Sequence, residues 1–214
     1  MKEKIPEQAK RAYCKSCHRP KRACICQFTC DVDNNINVLV LQHPTEVKQT
    51  KGTVGLLASS MSNIEVEIGE DFSANESVAA FIAKNSPCFL LYPNEHAHTL
   101  QLVEGSDIPM PWRDAVGLII IDGTWKKAYR MFQLSHNLQQ LPSLALPDDI
   151  ECFYQIRKTK KKQALSSFEA CVHALAMLEQ NQAKYQPMIE NFIKFNQFQL
   201  SFTPKQHHSN GTSE

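Results

Sequence analysis

Four cysteines near the start of the chain have the spacing of a metal-ligand set. Cys14 and Cys17 form a CxxC pair and Cys24 and Cys26 form a CxC pair, so four thiols lie within thirteen residues. Tetrahedral zinc takes four nitrogen or sulfur ligands, and nearby basic residues help to hold thiols as thiolates. We therefore predict a structural zinc site at these four cysteines. The alternative is a set of unligated thiols, which the paired spacing disfavours.

The other cysteines and a neighbouring histidine are left out of this ligand set. Four thiolates complete a closed site, so neither His18 nor Cys30 is needed. Cys88, Cys152 and Cys171 are scattered among apolar neighbours, which is typical of buried core thiols. Because no export signal is apparent and cytosolic thiols stay reduced, the cysteine content indicates metal binding rather than disulfides.

An acid at the end of an apolar run is the second feature that could do chemistry. Asp122 directly follows residues 117–121, Gly-Leu-Ile-Ile-Ile, and Gly123 allows a tight turn after it. We expect this turn to leave the carboxylate projecting above a sheet, with Thr124 capping the next helix and Trp125 packing against the fold rather than stacking on a base. Asp122 as a mere helix cap is the alternative, and the pattern alone leaves both open.

Short apolar runs that alternate with helical patterns supply the elements that must position these residues. The sequence predicts strands at residues 37–41, 64–68, 88–92 and 116–121, and helices at residues 53–61, 77–84 and 125–134. Ser166 and Glu169 have capping-box spacing at the start of a further helix. This order predicts the α/β class, with a parallel sheet covered by helices on both faces.

Three predicted strand ends carry polar or turn-forming residues. They are residues 42–44, 92–94 and 122–124. Ligands of parallel α/β sheets bind outside the carboxyl ends of the strands, so we expect all three segments to face one crevice.

The distribution of charge indicates a polyanionic partner, although the net charge is only +1. Residues 1–30 contain eight basic and two acidic residues, and residues 157–162 contain five basic residues in six. Two basic patches on a nearly neutral protein are typical of a localised polyanion footprint. A solvated charged face is the alternative for each patch.

The composition and the length exclude several classes of protein. With 214 residues, 43% hydrophobic and 21% charged, the chain is expected to be globular rather than disordered or collagen-like. Its longest apolar runs, such as residues 116–121, fall far short of the roughly 18 residues that a membrane span requires. The polar N-terminus lacks the apolar core of a secretory signal, so a cytoplasmic protein without a membrane partner is expected.

Ordered sequence blocks resemble those of a known family. The segment DGTWKKAYRM around Asp122 is similar to the signature of the DTW-domain family, tRNA-uridine aminocarboxypropyltransferases related to the knotted SPOUT methyltransferases. The CxxCxRPxxxCxC segment resembles the family's N-terminal zinc motif. Later blocks match in order: residues 43–46, 91–93, 141–146, 154–158 and 165–170. The chain departs from many members after residue 46, where Lys48 and Lys51 stand near positions that carry Arg and an Asn-Thr pair.

The resemblance implies a fold and a reaction. The fold would be SPOUT-like, with a C-terminal trefoil knot. Residues 1–30 would form a small zinc-binding module and residues 31–202 the DTW catalytic domain. Independently of the resemblance, the polar composition of residues 203–214 predicts a disordered tail. The reaction would move the 3-amino-3-carboxypropyl group of S-adenosylmethionine to N3 of a uridine in tRNA and leave methylthioadenosine. The oligomeric state is open, with a monomer favoured.

Roles for individual residues follow from the same resemblance. Uridine N3 carries a proton that a positioned base must remove, so Asp122 is the expected catalytic residue, either as this base or as the group that orients the donor's ammonium. Donor contacts are expected from Leu91, Tyr92, Pro93, Ile121, Gly123, Thr124, Leu141, Leu146, Ser166, Ser167 and Glu169. RNA phosphate contacts are expected from Arg19, Lys21, Arg22, Lys126, Lys127, Arg130, Arg157, Lys158, Lys160 and Lys161.

Two other functions are compatible with the same residues. A SPOUT-like RNA methyltransferase would use the same donor and leave S-adenosylhomocysteine. A non-catalytic, zinc-containing RNA-binding module would need only the cysteines and the two basic patches.

Overall fold

A computed structural model describes residues 12–49, 51–101, 112–150 and 165–202 of the chain. The strands are β1 (Asn37–Gln42), β2 (Ile64–Ile68), β3 (Cys88–Leu91), β4 (His98–Thr99), β5 (Gly117–Asp122) and β6 (Ser143–Ala145). The helices are α1 (Val54–Ala58), α2 (Glu76–Lys84), α3 (Trp125–Leu134), α4 (His136–Gln139), α5 (Ser167–Leu178) and α6 (Gln182–Ser201).

The six strands form one sheet in the order β2-β1-β5-β3-β6-β4, and every pairing in it is parallel. The predicted parallel sheet is thus confirmed. β5 lies between β1 and β3, so the ends of these three strands are neighbours although they are far apart in sequence. The register pairs Gln42 with Asp122 at the carboxyl ends of β1 and β5.

Helices cover both faces of the sheet, as predicted. Alternate residues of a strand point to opposite faces. In β1, Val38 and Val40 belong to a core cluster that also contains residues of α1, α5 and α6. Leu39 and Leu41 belong to a second cluster with residues of α2, α3 and α4. The strand therefore has to be apolar along its length.

Edge strand β2 differs from the buried strands. Its sequence, Ile-Glu-Val-Glu-Ile, alternates apolar and acidic residues, and the strand is half-buried to exposed. Glu65 and Glu67 on an exposed edge disfavour pairing with a strand of another molecule.

The cysteine segment packs directly on the main core. Ile25 and Phe28 are buried members of the cluster that contains α5 and α6. The Phe28 ring lies 5.9 Å from the ring centroid of Phe195 and 5.2 Å from that of Phe198 on α6. These aromatic contacts fix the segment against the longest helix.

Two of the three cysteines predicted to be core thiols are buried. Burial raises the pKa of the Cys88 thiol to about 12, and burial likewise raises the pKa of the Cys171 thiol. Cys152 and the predicted disordered tail, residues 203–214, lie outside the described residues. Among the described residues, no helix has both the length and the apolar character that crossing a membrane requires.

Candidate active site

The three predicted strand ends lie together. Because β1, β5 and β3 are adjacent and parallel, residues 42–44, 122–124 and 92–94 all follow strands at the same edge of the sheet. The backbone continues this contact beyond the strands, since the His43 N–H donates to the Asp122 carbonyl at 3.0 Å. Residues 92–93 and 123–124 line one cavity, whereas residues 42–44 do not, so the expectation of one shared crevice holds for two of the three segments.

A cavity of about 390 Å³ opens beside these strand ends. Its walls are mainly apolar, and they come from the ends of β3, β5 and β6 and the starts of α3 and α5. The lining residues are Leu91, Tyr92, Pro93, Ile120, Ile121, Gly123, Thr124, Trp125, Ala128, Leu144, Ala145, Leu146, Pro147, Asp148, Ile150, Leu165, Ser166, Ser167 and Ala170.

Nine of the eleven residues expected to contact a donor line this cavity. The exceptions are Leu141, which packs against the second core cluster, and Glu169, which is fully buried. Glu169 instead accepts hydrogen bonds from the backbone N–H and the hydroxyl of Ser166, both at 2.9 Å. This is the predicted capping box at the start of α5, and it is confirmed.

Of the cavity wall that follows β6, only Leu146 was expected from the sequence. Pro147, Asp148 and Ile150 line the cavity together with Leu165 and Ala170, which flank the two expected serines. A strand of three residues gives too short a pattern to indicate where its carboxyl end lies. Asp148 is exposed at this wall and places a carboxylate beside a mainly apolar space.

Asp122 is buried and accepts two side-chain hydrogen bonds rather than projecting freely above the sheet, which corrects the expectation from sequence. Its side chain is 7% exposed. The Gln42 amide donates to Oδ2 at 2.9 Å, and the Ser167 hydroxyl donates to Oδ1 at 2.6 Å. Ser167 lines the cavity whereas Asp122 does not, so the serine hydroxyl lies between the carboxylate and the open space.

The helix-cap alternative for Asp122 is wrong, because Thr124 is the N-cap of α3. The Thr124 hydroxyl accepts from the Lys127 N–H at 3.4 Å, as predicted for this threonine. Gly123 permits the close turn between strand and helix. A Cβ at this position would lie 3.1 Å from the Lys127 Cβ, which is closer than an ordinary van der Waals contact. It would lie 3.7 Å from the His43 Cβ, which is an ordinary contact.

His43 at the end of β1 extends the polar side of the site. Its Nδ1 accepts from the Thr45 N–H at 3.2 Å, which leaves the proton on Nε2, 3.2 Å from a Glu70 carboxylate oxygen. Arg130 donates to the other oxygen of Glu70 at 3.0 Å. The histidine, buried at 6% exposure, is thereby held in one orientation next to the Gly123 turn.

Trp125 does not pack against the core, so the prediction for this residue is wrong. Its side chain is 57% exposed, and it lines the cavity. The face of α3 that enters the core is occupied by Ala128 and Met131, three and six residues further on. Because Ala128 and Met131 are buried in the core, Trp125 at the start of the helix lies at the cavity entrance.

The four predicted zinc ligands come together. Their sulfur atoms all lie within 4.8 Å of one another, with Cys14 Sγ 3.7 Å from Cys26 Sγ and Cys17 Sγ 3.7 Å from Cys24 Sγ. A tetrahedron with Zn–S distances of about 2.3 Å has S···S edges of about 3.8 Å, so these cysteines could hold the ion with little movement. Backbone N–H groups, led by that of Cys17, lower the pKa of the Cys14 thiol to about 6.

Comparison with known proteins identifies the family to which this arrangement belongs. The family model of the DTW domain matches residues 11–200, which is most of the chain. This protein belongs to the DTW family. The Asp-Gly-Thr-Trp sequence at residues 122–125 lies at the end of β5, where Gly123, Thr124 and Trp125 line the cavity.

Three curated relatives of this DTW protein share one name. This chain is 27% identical over 198 residues to tRNA-uridine aminocarboxypropyltransferase 2 of Macaca fascicularis, and the match covers 89% of this chain and 64% of that protein. It is 28% identical over 204 residues to the Mus musculus protein of the same name, covering 92% and 66%. The Drosophila melanogaster protein of that name is 26% identical over 206 residues, with coverage of 94% and 80%. The chain therefore spans just under two thirds of the length of the two mammalian relatives. No solved structure matches it significantly.

The basic residues of this DTW protein differ in how free they are to meet a phosphate. Lys127 donates to Glu46 at 2.7 Å and to the Thr45 hydroxyl at 2.6 Å, and Arg130 is paired with Glu70. Arg19 donates to the Gly52 carbonyl at 3.1 Å. By contrast, Lys21, Arg22 and Lys126 are exposed. Arg157, Lys158, Lys160 and Lys161 lie outside the described residues.

Proposed function

We propose that this protein transfers the 3-amino-3-carboxypropyl group of S-adenosylmethionine to N3 of a uridine in tRNA. The observation that carries the proposal is the hydrogen-bonded pair of Asp122 and Ser167 at the wall of the cavity, within the part of the chain that matches the DTW domain. The names of the relatives, tRNA-uridine aminocarboxypropyltransferases, support the transferred group and the tRNA uridine as acceptor.

The cavity suits the donor in size and in chemistry. A volume of about 390 Å³ is within the range of small-molecule sites, about 300–1,000 Å³. Its apolar walls, with Leu91, Ile121 and Leu146 among them, suit the two faces of an adenine ring. Asp148 offers a carboxylate to the cationic end of the donor, and no cationic side chain lines the cavity among the described residues. When bound, the donor supplies the aminocarboxypropyl carbon that uridine N3 attacks, and methylthioadenosine leaves.

The residues of the chain would remove the N3 proton by a relay. Asp122 Oδ1 already accepts the Ser167 hydroxyl proton at 2.6 Å, and Ser167 faces the cavity. In the proposed step, Ser167 Oγ takes the proton from uridine N3 while its own proton passes to Asp122 Oδ1. The N3 lone pair is then free to form the new bond to carbon. Gln42, which donates to Oδ2, keeps the carboxylate in place during this transfer.

Zinc and RNA binding complete the proposal. Cys14, Cys17, Cys24 and Cys26 would hold a structural zinc ion, whose four thiolate ligands leave no position for substrate. Lys21, Arg22 and Lys126 would contact RNA phosphates, since the structure leaves them exposed. The SPOUT-like class and the C-terminal knot are part of the proposal as well. They depend on the path of residues 151–164, which lie outside the described residues.

A nucleoside assay tests the proposed reaction directly. Unmodified tRNA is incubated with the protein and with donor labelled in its aminocarboxypropyl group, and the nucleosides and the by-product are separated by mass spectrometry. We expect label on uridine together with methylthioadenosine, and loss of both in Asp122→Ala while RNA binding is retained. Release of S-adenosylhomocysteine would instead make the protein a methyltransferase. Unchanged product from Asp122→Ala would overturn the proposed role of this residue.

A further inference from the structure

Two large aromatic side chains stand exposed on the same side of α3. Trp125 is 57% exposed and Tyr129 is 59% exposed. They are four residues apart, so they are neighbours on the helix surface, one turn from each other. Ala128, between them in sequence, lines the cavity. Aromatic surface of this size left in water next to a cavity indicates a ligand that covers it.

The position of these rings matches the place where a second reactant must enter. The cavity volume, about 390 Å³, is near the lower end of the range for a single small ligand. Once the donor occupies it, the acceptor base has to approach through the mouth, where Trp125 stands. Tyr129 is close to the same wall, because it interacts electrostatically with the cavity residue Tyr92. Burial raises the pKa of Tyr92, and the neighbouring Tyr129 raises it further.

The charges around the rings favour a nucleic acid over a protein partner. Lys126 directly follows Trp125 in sequence, is exposed, and has no ion pair within the described part of the chain. The nearby carboxylates of Glu46 and Glu70 are neutralised by Lys127 and Arg130. The centres of protein interfaces are depleted in lysine, whereas base-stacking surfaces combine aromatic rings with cations along the phosphate backbone.

We propose that Trp125 and Tyr129 form a stacking platform that holds the target uridine, unstacked from its RNA, over the mouth of the donor cavity. Lys126 contacts the adjoining phosphate. The inference rests on the proposed function and adds the site at which the acceptor base is bound. Enzymes that react at a ring atom hidden by base pairing take the base out of the stack and hold it between aromatic or apolar side chains.

Fluorescence tests the platform without requiring turnover. The chain contains two tryptophans, so Trp112→Phe leaves Trp125 as the single reporter. Trp112 is only partly buried, and phenylalanine keeps its ring beside the core. The probes are a short oligouridylate and an abasic oligonucleotide with the same number of phosphates. We expect the oligouridylate to quench Trp125 and the abasic strand to leave it nearly unchanged. Equal quenching by both strands, or none by either, overturns the proposal.

Kinetics with unmodified tRNA transcripts then separate the acceptor base from the donor. We expect Trp125→Ala to lower kcat/KM for tRNA about 10- to 100-fold, the loss typical of one base-stacking contact, and Trp125→Phe to restore most of it. Leu134→Ala, which removes exposed apolar surface from the far end of α3, is the matched control and should stay within about twofold of the parent. Tyr129→Ala is expected to fall between the two.

Calorimetric titration with S-adenosylmethionine alone distinguishes the platform from a simple wall of the donor cavity. In Trp125→Ala, we expect donor affinity to stay within about threefold of the parent. An equal loss of donor affinity and of kcat/KM for tRNA would place Trp125 in the donor site and overturn the proposal. If the parent protein fails to bind the donor or to release methylthioadenosine, the proposed function is contradicted. If the Trp112→Phe protein shows no difference in quenching between the oligouridylate and the abasic strand, the platform alone is contradicted.

Discussion

Replacing Asp122 with asparagine separates proton acceptance from hydrogen bonding at the strand end. Asparagine presents one acceptor and one donor where aspartate presents two acceptors. Gln42 can still donate to the amide oxygen, and the Ser167 hydroxyl can turn to accept from the amide nitrogen. Both contacts of the buried side chain, at 2.9 and 2.6 Å, are thus retained without the carboxylate's charge. The variant should keep its fold.

The expected free energies follow from these two hydrogen bonds. Bonds to a charged group contribute about 1.5–3 kcal/mol each and neutral ones about 1 kcal/mol, so exchanging two of the first kind for two of the second in Asp122→Asn should lower the free energy of unfolding by about 1–4 kcal/mol. Asp122→Ala removes both bonds and leaves Gln42 and Ser167 without an acceptor next to a residue that is 7% exposed. For that variant we expect a loss of about 3–5 kcal/mol.

In Asp122→Asn, we expect the rate of product formation to fall far more than the modest loss of stability would suggest. A lost general base typically costs about 10²- to 10⁴-fold in rate, and asparagine cannot take the proton from Ser167. Single-turnover release of methylthioadenosine measures the chemical step, urea unfolding measures stability, and calorimetry measures donor affinity. If Asp122→Asn keeps more than about a third of the parent rate, the relay through Ser167 is refuted, and the carboxylate serves only to hold the cavity wall.

Three further changes probe the relay, the metal and the RNA contact. Ser167→Ala should slow product formation at least about tenfold, because it interrupts the path to Asp122. Ser166→Ala, the same change one residue earlier, should cost mainly about 1 kcal/mol of stability through loss of the α5 cap, so equal rate losses in the two variants would contradict the relay. Cys17→Ser should abolish binding of one zinc ion per chain, measured by atomic emission, and lower the Tm by about 10 °C, whereas Cys30→Ser should retain the metal. Lys126→Ala should reduce the slope of log affinity against log salt by about 1 in RNA binding, and an unchanged slope would remove this lysine from the phosphate contacts.

The long apolar strands and the amphipathic helices could be predicted from sequence, but the short and atypical elements could not. β1 and β5 are continuous runs of buried residues, so their pattern is unambiguous. β4 and β6, with two and three residues, are too short to give a period. The 20-residue helix α6 contains Pro187, a residue type that usually ends a helix. The sequence pattern therefore does not indicate that α6 begins before this proline.

The ends of the strands could also be predicted, but their contacts depend on the register of the sheet. Gln42 and Ser167 are 80 and 45 residues from Asp122, and only the pairing of β1 with β5 brings the glutamine beside it. The local pattern at Trp125 was misleading because a tryptophan that begins an amphipathic helix commonly packs inward. Its exposure follows from the rotation of α3, which is set by the burial of Ala128 and Met131.

The strand order explains how Asp122 can be buried and hydrogen-bonded and yet be linked through Ser167 to the cavity. β5 lies between β1 and β3, so Asp122 has a different neighbour on each side. On the β1 side, Gln42 holds the carboxylate and His43 braces the turn that follows it. On the β3 side, the wall is apolar and open to the cavity, and Ser167 at the start of α5 connects the two. In the proposed relay, the base would be held firmly by polar groups on one side of β5 and would receive its proton through Ser167 from a largely apolar cavity on the other.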